Sequence, residues 1–261
     1  MADVVSLDQI LDGWIDILQS RFKIEIAHDR QAAFFKAINQ LGSSIGESEE
    51  GFLYRAQNRL LTQHDWAEII HLATNHETRF YRYKAIIDLV SKYSREFARP
   101  RVLSVGCSTG EEPYTFAVEM NEKGFSNFQV HGIDISAPCI SHARTGVYKQ
   151  NPAIPDRYVS RNAAGQMKFY DWLKDFVSFE EHNVLSDQPI DFAQPTTIVT
   201  QNMLIYYRRE SRIRILENLA LMLPKGGYLI TGPAEAEEAH WKPNYLERLT
   251  VASASVFRKS E

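Results

Sequence analysis

Residues Arg101 to Met120 read RVLSVGCSTGEEPYTFAVEM, and the fold follows from how this stretch changes character along its length. Val102, Leu103 and Val105 are apolar β-formers without polar alternation, the pattern of a central strand buried on both faces. Gly106 and Gly110 then bracket a turn in which the backbone bends sharply and approaches a ligand without Cβ clashes. From Glu111 the spacing becomes that of an amphipathic helix. A strand, a glycine turn and a helix in this order build a nucleotide-type pocket. The next strand, FQVHGI, ends at Asp134. An acid at the carboxyl end of the second strand is placed to accept both ribose hydroxyls of an adenosine-bearing ligand. The glycines do not follow the dinucleotide spacing G-x-G-x-x-G, so on their own they define a turn and not a cofactor.

Outward from this unit, strands and helices alternate. Strands are expected near Arg101–Val105, Gln129–Ile133, Thr197–Thr200 and Tyr228–Thr231, with a weaker one at Phe176–Glu180. Ser211 to Leu223 reads as an amphipathic helix stopped by Pro224-Lys225-Gly226-Gly227. The tail TVASASVF alternates and is expected to pair antiparallel with the Tyr228 strand. The α/β class with a mainly parallel sheet follows. Before residue 100 the pattern is helical: Leu7, Ile10, Leu11, Trp14 and Leu18 recur at helical spacing, followed by runs at Ala32–Leu41, Phe52–Leu61 and Trp66–Leu72. GSSIGESEE (Gly42–Glu50) reads as a loop. The expected division is a helical N-terminal domain over 1–74, a helical linker over 75–100, and a sheet domain over 101–261 carrying an irregular insert near 149–179.

Composition sets the compartment. Net charge is −4, which gives no reason to expect a nucleic-acid partner. No uncharged apolar run approaches the ~20 residues of a membrane span, and the acidic N-terminal residues are unlike a signal peptide. Cys107 and Cys139 are the only cysteines, which argues against a disulfide framework or a zinc cluster. The eight histidines show no metal-ligand spacing along the chain, so no metal is expected. The expected location is the cytoplasm.

The string STGEEPY (Ser108–Tyr114) carries a resemblance to the chemotaxis-receptor methyltransferases, the CheR family. NHETRFYR (Asn75–Arg82) is similar to that family's N-x-T-x-F-F-R segment. HGIDIS, ARTGVY, HNVL, QNMLIYY and LPKGGYLITGPAE follow in family order, so the likeness covers Ala73 to the C-terminus. It implies a Rossmann-like methyltransferase domain with a small β insert, using S-adenosylmethionine and leaving S-adenosylhomocysteine. Its implied reaction methylates glutamate side chains on the cytoplasmic part of a methyl-accepting receptor.

Residue by residue, the resemblance implies cofactor binding by His76, Thr78, Arg82, Gly106, Glu112, Asp134, Asn183, Val184, Gln201 and Asn202, with Arg82 and Tyr206 at the methyl-transfer centre. In this register His76, rather than Asn75, stands at the family's Asn. Gln201 stands where arginine is usual, and Ser136 where a second acid is common. These departures keep two alternatives open: a methyltransferase of this fold on another substrate, and a cofactor-binding signalling module without turnover. Residues 1–74 hold six Lys and Arg against eleven Asp and Glu, a net of −5, where the family usually presents a basic face. That points to a divergent receptor, as in a pilus or other chemotaxis-like pathway. The aromatics of the insert (Tyr158, Phe169, Tyr170, Trp172, Phe176) either dock that receptor or pack the insert onto the sheet.

Overall fold

The computed structural model describes residues 6–232, 235, 241, 243–251 and 254–260. Four helices come first: α1 (Leu7–Phe22), α2 (His28–Ser44), α3 (Glu49–Gln57) and α4 (Gln63–Ala73). Ser6 and Thr62 open α1 and α4 with capping boxes, in which each side chain accepts the N3 amide while the N3 side chain returns the bond. Their apolar stripes enclose a separate core that includes Trp14, Leu18, Ile38, Phe52 and Ile69. The loop expected over Gly42–Glu50 is shorter, because Gly42–Ser44 continue α2 and Ser48 already caps α3.

Helix α5 (Lys84–Ser94) leads into the sheet region. Residues 75–83, expected as part of a helical linker, are irregular and then turn. Tyr81 takes a left-handed φ of 56°, and its amide donates to the Thr115 hydroxyl at 3.3 Å instead of to a helical carbonyl.

The sheet region then runs β1 (Arg101–Val105), α6 (Glu111–Glu122), β2 (Gln129–Asp134) and α7 (Ala137–Thr145). A small antiparallel sheet follows, formed by β3 (Val147–Lys149), β4 (Val159–Arg161) and β5 (Gln166–Phe169). The short helix α8 (Asp171–Lys174) returns the chain to β6 (Val177–Glu181), β7 (Thr197–Thr200), α9 (Arg209–Met222), β8 (Tyr228–Thr231), β9 (Leu246–Leu249) and β10 (Ser255–Lys259). Among the described residues the large sheet has the order β6-β2-β1-β7-β8-β10-β9. Strands β6 through β8 are parallel, while β10 is antiparallel to both β8 and β9.

This is the α/β architecture expected, with the tail strand antiparallel to β8; two residues of TVASASVF, at positions 252 and 253, lie outside the described residues. Chain order reverses on either side of β1, toward β2 on one flank and β7 on the other. In open α/β sheets the crevice beyond the strand ends at such a reversal is where ligands bind. The insert's aromatics divide: Tyr158 and Phe169 are buried, with Phe169 stacked on Tyr114 at 4.3 Å, whereas Tyr170 and Trp172 are exposed.

Candidate cofactor and methyl-transfer site

At the carboxyl end of β1 the chain turns through Gly106, at φ 75°, and enters α6 through Gly110, at φ 94°. Only glycine takes these angles without strain. A Cβ on Gly106 would stand 2.7 Å from Met203 Cγ, and one on Gly110 would stand 2.7 Å from the Ala143 Cβ. The turn therefore lies tight against the β7 loop on one side and α7 on the other. Two cavities flank it, a larger one of about 260 Å³ and a smaller one of about 50 Å³.

The smaller cavity belongs to Asp134, together with Val184, His182 and Tyr207. Both carboxylate oxygens of Asp134 are already held by the main chain: Ser108 N donates to Oδ2 at 2.8 Å and Ser136 N to Oδ1 at 2.9 Å. Burial pushes the Asp134 carboxyl up, and these two amides pull it back down. Each oxygen keeps a second lone pair. The carboxylate is thus fixed in place and still able to accept two hydroxyls.

Glu112 lies on the larger cavity, on the first turn of α6. It accepts from the Ser104 hydroxyl at 2.7 Å and from the side-chain amide of Gln201. Burial raises its carboxyl to about 7, against the pull of those two donors. Gln201 in turn leaves its Oε1 buried without a partner among the described residues. A carboxylate and an orphaned carbonyl side by side suit an ammonium group, which donates to both. Where a guanidinium would meet the acid as a fixed cation, the amide leaves Glu112 free to receive the charge from a ligand.

Thr78, Arg82, Asn202 and Tyr206 also line the larger cavity. Asn202 adopts a left-handed φ of 57°, a conformation its short polar side chain tolerates. The Arg82 guanidinium is oriented by the Glu77 carbonyl at 2.7 Å and retains further N–H donors. Tyr206 sits in the 3₁₀ turn Leu204–Tyr206 and borders both cavities.

Two expected residues stand elsewhere. His76 points away from both cavities and stacks on His71 with ring centroids 4.1 Å apart; its neighbour Asn75 faces the cavities instead. Asn183 turns its Oδ1 onto the Leu185 amide at 2.9 Å and shapes the turn that presents Val184. Sequence reading also passed over Glu235. This buried acid accepts the amides of Met203, Leu204 and Gly232 at 2.7, 2.9 and 3.2 Å, and so holds the loop that carries Asn202 and Tyr206. The signal available was an acid just beyond an apolar strand, in GPAE.

Fold and site together define a Rossmann-like methyltransferase domain. The CheR methyltransferase SAM-binding domain profile matches residues 75–251, and the chain belongs to that family. S-adenosylmethionine is the cofactor this family's domain binds. The residues present fit it: an acid for the ribose hydroxyls at one end, a glycine turn between, and the Glu112–Gln201 pair for an amine at the other. The chain is 27% identical to the probable biofilm formation methyltransferase WspC of Pseudomonas aeruginosa, over 95% of this chain and 62% of the relative. It is 24% identical to the chemotaxis protein methyltransferase of Escherichia coli, over 80% of this chain and 77% of that one. It thus spans less than two thirds of the WspC relative's length. Among solved structures, the N-methyltransferase NodS of Bradyrhizobium japonicum aligns with 68% of this chain and 96% of its own, at 14% identity and a TM-score of 0.42. Among the described residues no helix is long and apolar enough to cross a membrane.

Proposed function

We propose that this chain transfers a methyl group from S-adenosylmethionine to glutamate carboxylates of a chemotaxis-type receptor, giving glutamyl methyl esters. The observation that carries the reading is the shared cavity: Arg82 and Tyr206, two groups able to hold a carboxylate, border the same space as the amine-binding Glu112. The family membership and the relatives named for chemotaxis support the substrate class.

The chemistry asks little of the protein. Bound S-adenosylmethionine supplies a methyl carbon already activated by its sulfonium. A substrate carboxylate with a pKa near ~4.3 is ionised at neutral pH, so no general base is required. What the chain's own residues contribute is alignment, and approximation alone can supply roughly 7–11 kcal/mol. Arg82 and Tyr206 orient the attacking oxygen. Arg82 is shared with the Glu77 carbonyl, which moderates its grip and leaves the carboxylate nucleophilic. Thr78 and Asn202 border the same space, while Asp134 and Val184 hold the adenosine side. Mutual neutralisation of sulfonium and carboxylate favours a partly dry site.

The test is incubation with methyl-labelled S-adenosylmethionine and receptor cytoplasmic fragments. Base-labile label released as methanol is expected on glutamate. Cofactor binding with no transfer to any receptor fragment would instead identify a binding module.

A further inference from the structure

We propose that His71, His76 and Cys139 form a binding site for a borderline-soft divalent cation of the zinc type, at the junction between the last turn of α4 and the start of α7. This inference stands independently of the methyl-transfer reading. The three ligand atoms lie within 4.8 Å of one another. His76 Nδ1 is 3.1 Å from Cys139 Sγ, and His71 Nδ1 is 3.9 Å from the same sulfur. A tetrahedral zinc with bonds of about 2.0–2.3 Å sets its ligand atoms roughly 3.3–3.8 Å apart, and the two sulfur contacts straddle that span.

Second-sphere contacts already prepare the donors. His76 Nε2 faces the His71 carbonyl oxygen at 2.7 Å, a contact that only an N–H can satisfy. The proton therefore resides on Nε2, and the Nδ1 lone pair is directed at the thiol. Donation of the remote ring N–H to a backbone carbonyl is the arrangement that orients metal-binding histidines. Cys139 is 1% exposed. A bound dication takes this residue as the thiolate, since a coordinated thiol gives up its proton.

Loading the site moves few atoms. The two rings open from their stack so that both lone pairs converge, and His71 Nδ1 leaves the Ser136 hydroxyl, now 2.8 Å away. One bond forms from the metal to each of Nδ1, Nδ1 and Sγ, the thiol proton passes to water, and the fourth position takes a water. The histidines are half-buried, which provides an entry path. A thiolate with two imidazoles suits zinc better than magnesium or calcium. The site also adjoins the cofactor pocket, since Ser108, whose amide holds Asp134, donates its hydroxyl to the His76 carbonyl at 3.0 Å.

The chelator-stripped 261-residue chain is titrated with zinc by calorimetry, and with cobalt(II) by absorption. One ion per chain is expected, with a thiolate-to-cobalt charge-transfer band in the near ultraviolet and release of a proton. Cys139→Ser should abolish the band, and His71→Gln should weaken zinc binding more than about tenfold. Zinc should also slow alkylation of Cys139 in the unmutated chain, as mapped by peptide mass spectrometry, a readout that needs no variant to fold. Absence of stoichiometric zinc binding, unchanged alkylation of Cys139, or a band that persists in folded Cys139→Ser would overturn the proposal.

Discussion

Asn75 donates its side-chain amide to the Tyr206 hydroxyl at 3.0 Å, joining the irregular segment before α5 to the 3₁₀ turn after β7. The two residues belong to sequence regions more than a hundred positions apart, yet both border the cofactor cavities. The Tyr206 hydroxyl is thereby held in one orientation, with its own proton left to donate toward a substrate oxygen.

Tyr206→Phe and Arg82→Ala should accordingly lower turnover more than they weaken cofactor binding. A loss of about tenfold or more in single-turnover methylation is expected for each, near the ~1.4 kcal/mol of one oriented hydrogen bond. Calorimetry with S-adenosylhomocysteine should give affinities within a fewfold of the unmutated chain. Equal losses in both measurements would reduce these residues to binding or structural roles.

Asp134→Ala should act in the opposite sense. It removes two acceptors for the ribose hydroxyls, each contact to a charged group being worth ~1.5–3 kcal/mol. S-adenosylhomocysteine affinity should fall at least about tenfold. Unchanged affinity would remove Asp134 from the site.

Glu112 makes cofactor binding pH-dependent. Its carboxyl is raised to about 7 by burial, and only the ionised form pairs with an ammonium group. Affinity should be nearly level above that value and drop about tenfold for each unit below it. Glu112→Gln should flatten the profile. The same shift has a cost for the ligand-free fold. An acid whose folded pKa lies above its unfolded value loses stability as pH rises through that window, here from about 4.5 to about 7. Glu112→Gln should therefore stabilise the unliganded chain at pH 8, by about 1–3 kcal/mol. Denaturant titrations at pH 5 and pH 8 check the sign, since the gain should shrink at the lower pH.

Partner choice is expected to involve the insert. Tyr170 and Trp172 are each 42% exposed, whereas Tyr158 and Phe169 are buried against the sheet region. Alanine at both exposed positions should reduce receptor methylation while leaving S-adenosylhomocysteine affinity and thermal stability near their original values. Methylation at the unmutated rate would assign receptor docking elsewhere.

The sheet was legible where burial is two-sided. β1, β7 and β8 fall on the expected residues because apolar runs between turn signals have few other uses. β9 was not anticipated: LERL has an intermediate–exposed–exposed–intermediate pattern, with no buried face for periodicity to register. Residues 75–83 resisted reading for a different reason. Their backbone partners are distant side chains such as Thr115, so local propensity does not govern them. Asn75 borders the cavities while His76 packs on His71, a placement set by those tertiary contacts and not by local pattern. The convergence of His71, His76 and Cys139 was invisible to spacing, since packing of α4 on α7 creates it.

The loop carrying Asn202 and Tyr206 is gripped twice. Glu235 binds its amides from the sheet side, and the Glu25 amide donates to the Tyr206 carbonyl at 3.1 Å from the helical side. Glu25 also pairs through its carboxylate with Arg208 at 2.6 Å. The helical layer is therefore no detachable adaptor. Its main chain helps hold the loop that carries Asn202 and Tyr206, so residues 23–27 and 202–208 are tied together in the fold. Chimeras that exchange the helices between relatives while separating these two segments should keep their cofactor and lose their alignment.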